Sequence, residues 1–260
     1  MSPRLSAKTA LAIFGHPGHE LVVFQWLSDN RAETVCLTDG SGGAMVDRTF
    51  FTRQTLNTAG ATVGAVMGAC SDKQLYADFL SGDATRLIEL TRRILNRARI
   101  LRPDTLLTDS FEYFNPVHDI ANTITDIVWR DLNADGHRPR KLVYPNEYPD
   151  RLKPDAAAVT RRLTDDECRT KSQAIDAYLP LASEFARLAA DQKLQMLETE
   201  YLHEDPVRLA DIPSASDTIY ETAFYEDYGR ARVAEGRYSS LITLDGHFRP
   251  LAAKLVAAFT

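Results

Sequence analysis

Through about residue 150, the sequence alternates short apolar runs with amphipathic segments. Apolar runs bounded by Gly, Pro or Asp predict buried strands, and apolar residues recurring every three or four positions predict helices. We predict strands at 9–14, 34–38, 63–68, 105–108 and 142–144, and helices at 19–28 and 83–99. Another helix should start with Asn115 as N-cap and Pro116 in the first turn. This alternation is typical of an α/β fold in which a parallel sheet carries helices on both faces.

Beyond residue 149 the pattern becomes mostly helical, with helices expected at about 164–200 and 248–259. Because no flexible Gly/Ser linker separates the two parts, we predict a single domain over residues 1–260. Its sheet core should span about residues 8–150. Residues 151–260 should form a helical C-terminal extension that caps this core.

Composition excludes several classes of function. The 260 residues include 30 Lys+Arg and 36 Asp+Glu, a net charge of −6, so we expect no nucleic-acid partner. No run approaches the ~18 apolar residues of a membrane span, and no signal-peptide core follows the N-terminus. The three cysteines, Cys36, Cys70 and Cys168, form no CxxC pair. We therefore predict a cytoplasmic protein without disulfides that acts on a small molecule.

Three histidines follow predicted strands. His16 and His19 lie three residues apart after the first strand, and His118 lies after the fourth. The carboxyl ends of parallel strands meet at one edge of a sheet, which is where ligands bind in open α/β folds. Three protein ligands and an open position are typical of a catalytic zinc site. The alternative is that these side chains only cap helices or bond within loops.

These residues lie in a recognisable frame. Gly15-His16-Pro17-Gly18-His19-Glu20 resembles the Ala-His-Pro-Asp-Asp-Glu motif of the PIG-L/LmbE-like zinc-dependent N-deacetylases, and Asn115-Pro116-Val117-His118 is similar to their His-Pro-Asp-His segment. Further matches over about residues 8–180 are Leu37-Thr38-Asp39-Gly40, Arg48, Arg102-Pro103-Asp104, Lys171 to Ile175, and Tyr178. The resemblance implies a Rossmann-like, LmbE-like sheet and a metal, zinc or another divalent transition metal, held by His16, His19 and His118.

The chain departs from this family at four positions. Gly18 stands where the resemblance implies the general-base aspartate, so the usual mechanism cannot be copied. Asn115 replaces a histidine and Val117 replaces the aspartate that would orient it. At the metal, His19 replaces an aspartate ligand, which raises the net charge of the site by one.

A replacement base should come from the loops around His118. Glu112 is our first choice because its loop follows the fourth strand, and Asp109 is the second candidate. Asp119 and Asp39 are also near, although Asp119 would equally well favour the helix dipole. Loop hydrogen bonding is the alternative role for Asp109 and Glu112. Asn115 is expected to stabilise the oxyanion through its amide.

Substrate contacts are predicted from Asp39, Ser41, Arg48 and Tyr113. Backbone amides of the 39–43 turn can approach a sugar or phosphate oxygen, although the turn lacks the GxGxxG spacing of nucleotide sites. Arg48 would bind a substrate anion or lie on a solvated helix face. For the aromatic residues of 224–228, with Tyr220 and Tyr238, we favour core packing over a pocket wall or a subunit contact.

The leading hypothesis is a metal-dependent hydrolase for the N-acyl group of an amino sugar or small metabolite. One alternative is a metal-dependent enzyme of a biosynthetic pathway with another reaction, such as a different hydrolysis, an elimination or a group transfer. Another is a catalytically inactive binding or partner protein of the same fold. We predict no particular oligomeric state.

Overall fold

The computed structural model describes residues 9–42, 46–146, 154–205 and 222–260. Seven strands form one sheet in the order β3-β2-β1-β4-β5-β7-β6. The strands are β1 Ala10–Phe14, β2 Glu33–Thr38, β3 Thr62–Cys70, β4 Thr105–Asp109, β5 Arg140–Tyr144, β6 Val159–Arg162 and β7 Thr199–Glu204. The first five strands are parallel. The predicted α/β class is therefore confirmed.

Helices cover both faces of the sheet. They are α1 Phe24–Asn30, α2 Thr49–Ala59, α3 Asp72–Ser81, α4 Thr85–Leu101, α5 Pro116–Ala134, α6 Asp165–Ala177, α7 Ala182–Arg187, α8 Ala190–Glu198, α9 Phe224–Ala234 and α10 Arg249–Ala257. Along β1, Leu11 and Ile13 join the apolar core beneath α4, α5 and α10, whereas Ala12 and Phe14 join the core beneath α1, α2 and α6. A strand buried on both faces reads as a continuous apolar run, which explains the sequence of β1. None of the described helices is long and apolar enough to cross a membrane.

Four features differ from the sequence prediction. The helix expected at 19–28 divides into a 3-10 turn at His19–Leu21 and α1, because Val23, between them, has non-helical backbone angles. Neither α2 nor α3 was predicted. Four threonines in eleven residues weaken the helical signal of α2, whereas α3 carries a capping box between Ser71 and Gln74 that marks its start.

The fourth difference lies in the C-terminal region, where the predicted elements were helices and no strand was expected. Strands β7 and β6 extend the sheet beyond β5. Strand β7 pairs antiparallel with β5, where Val143 of β5 lies opposite His203, and β6 pairs antiparallel with β7. The sheet is therefore not confined to residues 8–150. Strands of four and six residues that flank a helical stretch give a weak sequence pattern, which explains why they were missed.

Candidate functional site

The sheet order creates a natural binding position between β1 and β4. The chain proceeds outward from β1 to β2 and β3 on one side, and from β4 to β5 on the other. The loops after β1 and β4 therefore diverge at their carboxyl ends, and open α/β sheets bind ligands in the crevice formed there. The predicted site residues of both loops lie at this point.

The structure brings the three predicted histidine ligands together. The ring centroids of His16 and His19 lie 5.6 Å apart, those of His16 and His118 lie 5.2 Å apart, and those of His19 and His118 lie 4.6 Å apart. His19 and His118 are buried and His16 is mostly buried. Residues about a hundred positions apart along the chain therefore form one cluster of imidazoles.

Gly15 permits the close approach between the two histidine-bearing segments. A Cβ at this position would lie 2.8 Å from the carbonyl oxygen of Val117, so a side chain would push β1 away from the start of α5. The backbone N–H of Gly15 also donates to Asp109 Oδ2 at 2.7 Å. These contacts place His16 beside His118.

Gly18 is required by the backbone of the turn. Its φ of +110° lies in a region that L side chains rarely adopt, and a Cβ there would meet Leu181 Cδ1 at 2.5 Å. The position at which the resemblance implies a general-base aspartate is thus shaped for glycine. The turn directs His19 into the site as the first residue of the 3-10 turn.

Asp109, the last residue of β4, positions His19. It is completely buried, and its Oδ1 lies 2.7 Å from His19 Nδ1 and accepts a hydrogen bond from the Tyr144 hydroxyl. Burial raises the pKa of Asp109, but His19, His118 and the Tyr144 hydroxyl together lower it to about 2. A carboxylate at Nδ1 leaves the lone pair on Nε2, which the Asn146 side-chain nitrogen approaches to 3.1 Å.

His16 has a similar arrangement from other elements. Its Nδ1 lies 2.9 Å from Thr38 Oγ1, at the end of β2, and 3.1 Å from Asp72 Oδ1, at the start of α3. Burial raises the pKa of Asp72, but His16, Thr38 and the Gly42 N–H together lower that pKa below its usual range. His16 Nε2 is buried and has no hydrogen-bond partner among the described residues.

His118 is held in its neutral form. Its burial, and then the neighbouring imidazole of His19, lower its pKa well below the usual value. Its Nδ1 is buried without a hydrogen-bond partner in the described part of the chain. A neutral imidazole is the form that binds a metal.

The residues present fit a divalent cation, although the described side chains contain no group of three or more His, Cys, Asp or Glu already arranged to hold a metal ion. Two buried imidazole nitrogens, His16 Nε2 and His118 Nδ1, lack partners in the described ranges, and unpartnered buried polar atoms are costly. Imidazoles are common ligands of zinc and other transition metals, and carboxylates behind them are a typical outer shell.

Asp119 holds the loop after β4 through hydrogen bonds to its backbone. Its Oδ1 accepts from the backbone N–H groups of Glu112, at 3.0 Å, and Tyr113, at 3.2 Å. Glu112 is buried, and its Oε1 accepts from the backbone of Asn146, the residue that also contacts His19. Tyr113 has a φ of +58° and is packed in the core, so the structure does not place it among surfaces open to substrate.

Asn115 is the N-cap of α5, as its position before Pro116 predicts. Its Oδ1 accepts from the Val117 N–H at 2.9 Å and from the Tyr76 hydroxyl at 3.4 Å. Since the carbonyl oxygen is used for the cap, the amide nitrogen is the group that remains for a substrate oxygen.

The turn after β2 lies against the His16 segment. The Asp39 side chain accepts from the Ser41 N–H at 2.9 Å, and its carbonyl accepts from the Arg48 N–H at 2.8 Å. Pro17 lies 3.1 Å from where a Cβ of Gly40 would be. Asp39, Ser41 and Arg48 are thus gathered at the predicted edge of the sheet, whereas residue 43 of this turn lies outside the described residues.

The aromatic residues of 224–228 divide between two environments. Tyr225 is buried in the core, in line with the packing role. Phe224, in contrast, stacks on Phe114 with centroids 4.5 Å apart, and Phe114 lies 6.5 Å from the ring of His118. One wall of the site is therefore aromatic. Tyr228 and Tyr238 are exposed, so the core-packing prediction is wrong for these two residues. Tyr220 lies outside the described residues.

Sequence reasoning missed four side chains that contact the histidines or their carboxylates. They are Thr38, Asp72, Tyr144 and Asn146. Each ends or closely follows a strand at the carboxyl edge of the sheet, so a search of all strand ends would have included them. Asp72 was hidden because the third strand was predicted to end at residue 68.

Comparison with known proteins relates the chain to others by fold. No protein-family model and no curated protein sequence matches it. An N,N'-diacetylchitobiose deacetylase from Pyrococcus horikoshii has a TM-score of 0.52 at 15% identity over 82% of this chain and 89% of that one. A conserved protein from Thermus thermophilus has a TM-score of 0.53 at 14% identity, over 80% of this chain and 99% of that one. GalB, the 4-carboxy-2-hydroxymuconate hydratase from Pseudomonas putida, has a TM-score of 0.50 at 16% identity, over 80% of this chain and 100% of that one.

The chain has the fold of these proteins. At such low identity the likeness extends to the arrangement of strands and helices and not to activity. The solved structures that share the fold include a deacetylase and a hydratase.

Proposed function

We propose that the protein is a metal-dependent hydrolase that cleaves the N-acyl group of an amino sugar or a related small metabolite. The observation that carries this proposal is the cluster of three imidazoles at the β1/β4 crevice, with ring centroids 4.6–5.6 Å apart. The shared fold with a chitobiose deacetylase supports the reaction class. The free cysteines at 36, 70 and 168 support a cytoplasmic location.

His16, His19 and His118 would hold the metal, zinc or another divalent transition metal. When bound, such a cation supplies Lewis acidity toward a carbonyl oxygen and lowers the pKa of water. Asp109 holds His19 by its Nδ1 and leaves the lone pair on Nε2, the nitrogen that the Asn146 side chain contacts. Because its pKa is about 2 and its oxygens are engaged by Gly15, His19 and Tyr144, Asp109 is a poor general base and acts as a positioning group.

Glu112 is the proposed general base. It lies in the loop that overhangs the carboxyl end of β4 and shares Asn146 with His19. Its carboxylate takes a proton from the attacking water and returns it to the leaving nitrogen. Asn115 donates a hydrogen bond from its amide nitrogen to the oxyanion.

The turn formed by Asp39 and Ser41, with Arg48, is the proposed binding region for substrate hydroxyl or anionic groups. This turn lies beside His16, because its Gly40 packs against Pro17, the next residue after His16. Asp39 and Arg48 are both partly exposed. The aromatic wall of Phe114 and Phe224 would contact a sugar ring or the acyl group.

Metal content tests the proposal first. Elemental mass spectrometry should find about one transition metal per chain in the wild type, and the metal should be lost in His16→Ala and His118→Ala. His137→Ala is the matched control, because His137 contacts the carbonyl of Pro103 and follows the opposite end of α5. A wild type that takes up no metal under reconstituting conditions would refute the metalloenzyme and favour a binding or partner protein.

Turnover then tests the base. N-acetylated amino sugars, including N,N'-diacetylchitobiose, should release acetate in a metal-dependent reaction. Glu112→Gln should lower kcat by about 10²-fold or more while metal content stays unchanged. Glu89→Gln, on the exposed face of α4, should retain wild-type kcat. Equal turnover in Glu112→Gln and the wild type would exclude Glu112 as the base.

The hydratase with this fold supports a second candidate, a metal-dependent addition or elimination of water. Product analysis separates it from the first. Release of acetate and a free amine supports the hydrolase. Hydration of an unsaturated acid without cleavage of any C–N bond supports the second candidate.

A further inference from the structure

Two of the three clustered histidines have a carboxylate behind them, and the carboxylates come from different parts of the sheet. Asp109 ends β4 and contacts His19. Asp72 begins α3, beyond β3, and contacts His16. The two carboxylates are buried, so their charges act on the imidazoles with little screening by solvent.

We infer that Asp72 is a positioning residue for His16 that fixes its Nδ1–H tautomer and directs Nε2 into the imidazole cluster. The functional meaning of this inference rests on the proposed metal site. The tautomer of His16 rests only on the contacts of its ring.

The two close contacts of His16 Nδ1, a hydrogen bond with Thr38 and an ion-pair contact with Asp72, determine where its proton lies. The Thr38 hydroxyl donates to the Gly15 carbonyl at 3.2 Å, beside the backbone N–H of Thr38 that donates to the same oxygen, and this leaves a lone pair of Oγ1 for His16. The second neighbour, Asp72 Oδ1, is a carboxylate oxygen in the first turn of α3, where the helix dipole favours an anionic acceptor. Both neighbours of His16 Nδ1, at 2.9 and 3.1 Å, are therefore acceptors, and the nitrogen between them must carry the proton. The lone pair is left on Nε2, the buried nitrogen that has no partner among the described residues.

The start of α3 favours the charged form of Asp72. It is the first residue of the helix, where the N–H groups and the helix dipole stabilise an anion. Its other oxygen, Oδ2, accepts from the Gly42 N–H at 2.7 Å. Asp72 therefore connects the turn after β2 to His16. It fixes the orientation of the His16 ring from the segment that follows β3.

The pair of carboxylates also balances charge. Asp72 and Asp109 place two negative charges directly behind the imidazoles, which equals the charge of a divalent cation. The site thus retains anionic character without a carboxylate among its three proposed ligands.

Asp72→Asn is the informative substitution. The Asn carbonyl oxygen can still accept from Gly42, so the turn stays anchored, while the NH2 group faces His16 Nδ1 in place of an acceptor. The change favours a lone pair on Nδ1 and a proton on Nε2, the form that cannot bind metal through Nε2. Asp78→Asn is the matched control, since Asp78 lies on the same helix and pairs with Arg86.

Two measurements test the inference. Titration of the metal-free protein with Co²⁺, followed by its visible absorption, should give a Kd about 10–100-fold weaker in Asp72→Asn than in the wild type or Asp78→Asn. Long-range ¹H–¹⁵N spectra should show the Nδ1–H tautomer of His16 in the wild type and a shift toward Nε2–H in Asp72→Asn. The His16 signals are assigned by their loss in His16→Ala.

The outcomes separate this inference from the proposed function. Unchanged Co²⁺ affinity together with an unchanged tautomer in a folded Asp72→Asn protein would overturn the positioning role. A wild type that binds no Co²⁺ would refute the metal site, and the tautomer comparison alone would then decide whether Asp72 positions His16. A lower Tm of Asp72→Asn with wild-type Co²⁺ affinity and tautomer would show a purely structural residue and would also overturn it.

Discussion

Lys171 and Glu200 form a buried ion pair that supports the site from the C-terminal region. Lys171 Nζ lies 2.7 Å from Glu200 Oε1, and both side chains are 0% exposed. Glu200 also accepts from the backbone N–H groups of Gln25 and Trp26 in the first turn of α1, while Lys171 donates to the carbonyl of Val22. The pair therefore anchors the segment that directly follows His19 to α6 and β7.

We predict that Lys171→Met destabilises the protein by about 3 kcal/mol. Removing one partner of a buried pair costs about 3–5 kcal/mol because it leaves a charge without compensation. The lower end applies here, since two N–H groups still bind Glu200 and methionine fills most of the lysine stem. At ~2.1 cal/mol/K of unfolding entropy per residue, 260 residues give about 0.55 kcal/mol/K, so Tm should fall by about 5–6 °C.

Urea unfolding followed by circular dichroism measures this change. Lys73→Met, at an exposed position of α3, should stay within about 0.5 kcal/mol of the wild type. The double variant Lys171→Met/Glu200→Gln should be less destabilised than the sum of the single variants by about 1–3 kcal/mol, because it removes both charges. A loss below about 1 kcal/mol for Lys171→Met, or strict additivity in the double variant, would refute the account of a buried, coupled pair.

Three further predictions follow from the site and its surroundings. Gly18→Asp, which restores the side chain that the family resemblance implies, should not increase turnover and should cost about 1–2 kcal/mol in urea unfolding, because φ at this position is +110°; higher turnover would contradict this. Asp109→Asn should weaken Co²⁺ binding about 10–100-fold, because His19 loses its charged acceptor; unchanged affinity would remove Asp109 from the site. Burial raises the pKa of Cys70 to about 12 and that of Cys36 well above its usual value, so both remain protonated at pH 8. Thiol reagents should label them far more slowly in the native protein than in urea, and rapid native labelling would show that they are accessible as thiolates.

The C-terminal region has a larger role than the cap expected from sequence. Strand β7 joins the sheet beside β5, and its Glu200 reaches α1 at the opposite end of the chain. The sequence pattern of residues 164–200 indicates helices but carries no sign that a carboxylate near the start of a strand will cap a distant helix. Such a contact depends on the packing of α1, α6 and β7 and is therefore a property of the tertiary structure.

The sequence by itself determined the parallel core and the positions from which the histidines come. Continuous apolar runs bounded by turn residues are typical of strands buried on both faces, and parallel strands require helical crossovers, which places the residues after β1 and β4 at one edge. The N-cap Asn115 and the helix that carries His118 also follow from local rules, since a cap bonds to backbone groups two or three residues away.

Only the tertiary structure distinguishes the contacts of the surrounding carboxylates. Asp109, Glu112 and Asp72 are acids after strands and are equivalent by sequence pattern alone. Their difference arises because Asp109 faces the ring of His19, Asp72 faces that of His16, and Glu112 contacts Asn146. Whether an acid acts as base or as support depends on which nitrogen or water lies within about 3 Å of it, and that distance is set by the packing of strand ends far apart in the chain.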